Sequence, residues 1–105
     1  MRRILAFTAA TLLSSCSPPV MFRVDSDEAI INGTLTLNGQ AAALTKNLDG
    51  AWWGKWNGSD ADGTIRIVYS DGAATMCRIG YVTHGMTDVQ RFTIRRRQCT
   101  QEFPR

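Results

Sequence analysis

From Val20 onward, apolar residues tend to recur at every second position, and turn-forming residues interrupt them roughly every 8 to 12 residues. No stretch keeps a helical period. Val20 to Val24 is a short apolar segment ended by Ser26-Asp27-Glu28. Thr34, Leu35, Thr36 and Leu37 alternate after Gly33 and run into Asn38-Gly39. That dipeptide favours a two-residue hairpin, because both central residues of the turn need a positive φ. Ala41 to Lys46 is then the returning strand. Leu48-Asp49-Gly50 turns the chain into Ala51 to Asn57, and Gly58 to Gly63 turns it again. Ile65, Ile67 and Tyr69 follow, alternating with Arg66 and Val68. The pattern predicts an all-β domain, a small antiparallel sandwich or barrel of about 6 to 8 short strands.

The C-terminal half constrains register. Ile65, Ile67 and Tyr69 are expected to share a face with Cys77, Ile79 and Tyr81, which requires an odd-length loop between the two strands. Ser70-Asp71-Gly72, with Gly72 left-handed, supplies one. Bringing Gln90, Phe92 and Ile94 to the same face through a second hairpin requires an even loop, and His84-Gly85-Met86-Thr87 fits. That register places Cys77 opposite Ile94. Cys99 must then lie past the strand's end and fold back, or reach a different strand.

The first residues follow other rules. Met1-Arg2-Arg3 is a positive start, and Ile4 to Leu13 is an uncharged, mostly apolar run of ten residues. Ten helical residues rise about 15 Å, half of a hydrocarbon core, so the run is too short for a lasting transmembrane span. It reads as a cleaved export signal. Leu13-Ser14-Ser15-Cys16 resembles the bacterial lipobox: an aliphatic residue, two small residues and a cysteine. The resemblance covers only these first 16 residues. It implies that the Cys16 thiol receives a diacylglycerol, that cleavage falls just before Cys16, and that the new amine is acylated. Two or more acyl chains anchor stably where one is marginal. By the same resemblance, Ser17, in place of an aspartate that favours inner-membrane retention, points to the outer membrane, with the domain facing the periplasm.

This divides the chain into a signal peptide (1–15), a lipidated N-terminus and tether containing Ser17-Pro18-Pro19 (16–19), and one β domain (20–105). The whole chain has 12 basic and 9 acidic residues, a net +3. Loss of Arg2 and Arg3 leaves ten basic residues against nine acidic, a net +1. The overall basicity therefore overstates that of the mature protein. No segment after Cys16 approaches the roughly 18 apolar residues that a membrane helix needs.

With Cys16 carrying lipid, Cys77 and Cys99 form an even pair in an oxidising compartment and are expected to join. Closing a loop of about 22 residues is worth roughly 3 kcal/mol in the chain-entropy model. Two cysteines and the single His84 are too few ligands for a metal site, and no cofactor is expected.

Three clusters are candidates for function. Trp52, Trp53 and Trp56 are all the tryptophans of the chain. On a strand, Trp52 and Trp56 face one way and Trp53 the other. They read either as a platform for a sugar ring or partner protein, or as core. Arg95, Arg96 and Arg97, with Arg91 and Arg78 nearby, follow a half of the chain that holds Asp25, Asp27, Glu28, Asp49, Asp60 and Asp62. They read as a contact for phosphate head groups or acidic polymers, or as arginines paired to that acidic half. Asp60-Ala61-Asp62-Gly63 opens like a calcium loop, but Ile65, Arg66 and Ile67 follow, and Asp71 stands where a glutamate is needed, so it reads as a solvated turn. His84 has no nucleophile motif around it, so no enzyme is expected. The expected partners are the membrane, through the N-terminal lipid, and peptidoglycan, an acidic polymer or an envelope protein. Nucleic acid is excluded by the address. The function expected is that of a non-catalytic envelope lipoprotein that binds or braces a wall glycan or protein. The alternatives are an inhibitor of a wall-degrading enzyme, similar in architecture to the small β-barrel lysozyme-inhibitor lipoproteins, and an accessory subunit of an envelope complex.

Overall fold

The computed structural model describes residues 19–58, 60–83 and 87–103. The expected export signal, Cys16 and His84 lie outside the described residues. Nine strands form: β1 (Val20–Ser26), β2 (Ile30–Leu37), β3 (Gln40–Ala43), β4 (Thr45–Lys46), β5 (Trp52–Trp56), β6 (Ala61–Tyr69), β7 (Ala74–Val82), β8 (Gln90–Arg95) and β9 (Gln98–Glu102). They make a two-sheet sandwich with strand orders β4-β5-β1-β8-β9 and β3-β2-β6-β7. The alternation along each strand sets the core. Phe22 and Val24 from β1, Leu35 and Leu37 from β2, Ile65, Ile67 and Tyr69 from β6, and Phe92 and Ile94 from β8 are fully enclosed.

Nine strands exceed the expected 6 to 8 because one expected strand is two and the chain beyond the Arg96-Arg97 turn adds β9. The segment 41–46 pairs with β2 only as far as Ala43, then changes sheet, so that Thr45 and Lys46 pair with β5. Leu44 is the corner. Its N–H donates to the Gly33 carbonyl (2.9 Å), and its side chain is buried between the sheets. Two glycines make that room. A Cβ on Gly54 would come within 2.6 Å of one Leu44 methyl, and a Cβ on Gly33 within 2.7 Å of the other.

Two expected hairpins form as read. Asn38 (φ 51°) and Gly39 (φ 74°) join β2 to β3 with Leu37 opposite Gln40. Ser70-Asp71-Gly72 joins β6 to β7, with Gly72 at φ 89° and Ile65 opposite Cys77. The inward phase ends early, however. A register shift between Ala61 and Gly63 changes the pairing, so Val82 is buried and Tyr81, expected inside, is exposed. β6 also begins at Ala61, inside the segment expected to be a turn.

The expected β7–β8 hairpin does not form. β8 lies in the other sheet, parallel to β1, with Phe22 opposite Gln90 and Ser26 opposite Ile94. Phe92 and Ile94 still face the core, but from across the sandwich. Inward alternation is the same for a neighbour about 4.8 Å away in the sheet and for a facing strand about 10 Å away, so it could not tell them apart. Ile94 pairs instead with Cys99, because β9 folds straight back on β8. Cys77 and Cys99 are disulfide-bonded, with Cα atoms 5.4 Å apart. The bond joins β7 and β9, the edge strands of the two sheets on the side opposite Leu44.

The β8–β9 turn is Arg96-Arg97, both at positive φ (53° and 63°), a conformation that side chains other than glycine adopt at a cost. Arg97 explains its presence there. Its guanidinium hydrogen-bonds to Glu28 and to Asp71, and stacks over the Tyr69 ring with 4.5 Å to the centroid. Thr75 donates its hydroxyl proton to the Arg97 carbonyl (3.0 Å), so the Tyr69 hydroxyl is the donor in its 2.6 Å bond to Thr75. The Arg96 N–H donates to Asp27, whose own N–H donates to the Ile94 carbonyl. Three turns are thereby stitched together around one arginine.

Leu44→Ala should lower the unfolding free energy by about 2 to 5 kcal/mol, read by denaturant titration, because the corner would lose its plug to a cavity that the facing strands cannot close. A second expectation concerns acid. The hydrogen bond from Arg97 holds Glu28 below its ordinary pKa, and the Ala73 N–H followed by Arg97 does the same for Asp71. Carboxylates with depressed folded-state pKa values contribute stability above their unfolded values, and that contribution fades as pH falls through the folded ones. Stability should thus decline below roughly pH 4.5, and Arg97→Gln should make the decline shallower while lowering stability at neutral pH. Thermal melts from pH 7 to pH 2.5 would read both effects.

Candidate functional site

The three tryptophans separate as the pleat requires. Trp56 is buried in the core, and Trp52 packs against it from the strand's other end. Both are structural. Trp53 points to the outer face of the five-stranded sheet, directly across from Arg23 on β1 and from Thr45 on β4. The Arg23 guanidinium stacks over the Trp53 ring, 5.4 Å from its centroid. It also reaches Asp25 (2.8 Å) and Asp49 (3.3 Å), which fix its position. The hydrogen bond that Arg23 donates to Asp25, more than any other contact, raises the Arg23 pKa.

Trp53 lines a shallow groove of about 380 Å³ with Met21, Ala42, Ala43, Thr45 and Lys55. The groove exists because the chain changes sheets at Leu44. The bend carries Ala42 and Ala43 past the edge of β5, and their small side chains leave the indole beside open space. The Trp53 indole N–H is enclosed and finds no hydrogen-bond acceptor among the described residues. Such a group costs on the order of 1 to 3 kcal/mol while unsatisfied. Lys55 is exposed at the rim, two residues from Trp53 and on the same face. The groove thus combines an aromatic wall, small apolar side chains, one hydroxyl and one ammonium group.

The arginine cluster does not join this groove. Arg97 is occupied by Glu28, Asp71 and Tyr69, and Arg96 is a turn residue. Arg95 ends β8 on the exposed side, two strands over from β5 and four residues beyond Arg91, which pairs with Arg23. The acidic half of the chain does meet the arginines, but through one clamp. Asp62 and Gly63 lie within β6 and Asp71 at its far end in contact with Arg97, so the residues of the calcium-like motif do not converge. Among the described residues, no group of three or more His, Cys, Asp and Glu side chains is placed to hold a metal.

Sequence reasoning missed Arg23 and Met21. Their outward phase was readable from the inward Val20, Phe22 and Val24, but their adjacency to Trp53 depends on strand order, which no local pattern encodes. No protein-family model, curated protein or solved structure matches the chain.

Proposed function

We propose that this chain is a non-catalytic cell-envelope lipoprotein, anchored by lipid on Cys16 at the periplasmic face of the outer membrane, whose Trp53 groove binds the glycan of the wall. The anchor rests on the resemblance of Leu13-Ser14-Ser15-Cys16 to a lipobox and on the even cysteine pair left once Cys16 is removed. The observation that carries the binding function is Trp53 itself: the one outward tryptophan, braced by Arg23, beside a groove with a free volume of about 380 Å³. That volume falls in the range of small-ligand sites.

The chemistry suits an amino-sugar polymer. The C–H face of a pyranose ring is apolar and packs on an indole, while its hydroxyls need partners such as Thr45. Lys55, exposed at the rim, can meet a carboxylate on the peptides that the wall glycan carries.

The mature protein should sediment with purified sacculi, and Trp53→Ala should weaken that binding by about tenfold or more, the loss typical of a central aromatic contact. Trp53 is not among the enclosed core side chains, so the variant should remain folded, as checked by its thermal melt. Failure of the wild-type protein to sediment would refute the glycan reading. Lysozyme inhibition without sedimentation would indicate the inhibitor, and capture of a single envelope protein alone would indicate the accessory subunit.

A further inference from the structure

Strand directions gather the connections into two ends. One end carries the Ser26–Ala29, Asn47–Gly50, Ser70–Gly72 and Arg96-Arg97 turns, with Asp27, Glu28, Asp49 and Asp71 among them. The other carries the Asn38-Gly39 turn, the end of β5, the start of β6 and the last residues of β7 and β9. It also carries Val20, where the chain enters the sandwich. Cys16 precedes Val20 by four residues, which span at most about 14 Å when fully extended. A lipid on Cys16 therefore holds this end, and not the acidic end, within that distance of the bilayer.

This end also exposes two aromatic side chains. Tyr81 is 68% exposed and Phe103 is 73% exposed. Each lies four residues beyond a bridged cysteine, Tyr81 after Cys77 on β7 and Phe103 after Cys99 on β9. Both strands run toward the same end, so the disulfide delivers both rings there. A tyrosine ring, apolar with a polar tip, favours the head-group level of a bilayer, and a phenylalanine ring inserts at the boundary between head groups and acyl chains. The surrounding charges are mixed: Arg78 and Arg91 lie near Asp62, Asp88 and Glu102. Among the described residues there is no cationic excess to demand anionic lipid.

Resting on the anchor reading above, we infer that the end of the sandwich carrying Tyr81 and Phe103 docks on the phospholipid surface, with the Tyr81 ring at the head-group level and the Phe103 ring at the boundary with the acyl chains. The domain then stands on this end, with the Trp53 groove on its flank and the Arg97 clamp directed away from the membrane. Two rings would not hold a soluble domain on a bilayer. A tether of four residues makes the contact intramolecular, and at such an effective concentration a weak contact is populated.

The test is amide hydrogen exchange of the lipidated protein in phosphatidylcholine vesicles, compared with the Cys16→Ala chain in solution. Incorporation of a clickable fatty acid reports the anchor separately. Amides of residues 80–83 and 101–103 should exchange about threefold or more slowly on vesicles, and those of 70–72 and 96–97 should not change. A Tyr81→Ser, Phe103→Ser double variant should keep the label and lose the slowing. Labelled protein with unchanged exchange at 80–83 and 101–103, or slowing that persists in the double variant, would overturn the docking and leave the anchor intact. Absence of label from the wild-type protein would overturn the anchor and the docking with it.

Discussion

Two stacked sheets have two open sides, and a domain this small has little core with which to hold them together. On one side the chain itself closes the gap, crossing from β3 to β4 at Leu44. On the other, no strand crosses, and the Cys77–Cys99 bridge joins edge strand to edge strand. The bridge fixes more than a distance. It sets β9 against β7, holds the β8–β9 hairpin over the core, and so places Arg96-Arg97 where Glu28 and Asp71 can be reached. Without it the four-stranded sheet would hold the C-terminal hairpin covalently only through the chain that leads from β7 to β8.

The same closure organises the surfaces. The Leu44 side, where backbone continuity makes a bend, leaves the recess beside Trp53. The disulfide side leaves edge strands whose far ends carry Tyr81 and Phe103. The acidic turns collect at the opposite end and are partly neutralised by Arg97. A grooved flank, an aromatic end and a charged end opposite it thus follow from where two strands of one sheet are tied to two of the other. The groove and the lipid-facing end are proposals built on that arrangement, whereas the sandwich and its bridge are its direct description.

Much of the fold was legible in the sequence because the side-chain period of a strand is two. Phe22 and Val24, Leu35 and Leu37, and Ile65, Ile67 and Tyr69 declared the core face, and Asn38-Gly39 and Gly72 declared two turns with their registers. What could not be read was which strands are neighbours. The alternation of Phe92 and Ile94 was correct, but β8 lies in the opposite sheet from β7 and does not form a hairpin with it. The break at Leu44 was hidden for a related reason, since only the three-dimensional approach of Gly33 and Gly54 reveals why a leucine should sit there. For the candidate site, alternation singled out Trp53 from Trp52 and Trp56. Its setting was not legible, because Arg23 and Thr45 reach it from strands distant in the chain. The arginine run was misleading in the same way: its meaning lies in Glu28, 69 residues from Arg97 in sequence and in hydrogen-bond contact with it.

The most direct test of the bridge as the closing constraint is the unfolding free energy of the protein in its oxidised and reduced forms, measured by denaturant titration at neutral pH. Opening a loop with a sequence separation of 22 residues should remove about 3 kcal/mol of stability, and non-reducing peptide mapping of the oxidised protein should recover Cys77 joined to Cys99. Equal stability of the two forms, or a mapped linkage that excludes either cysteine, would contradict it.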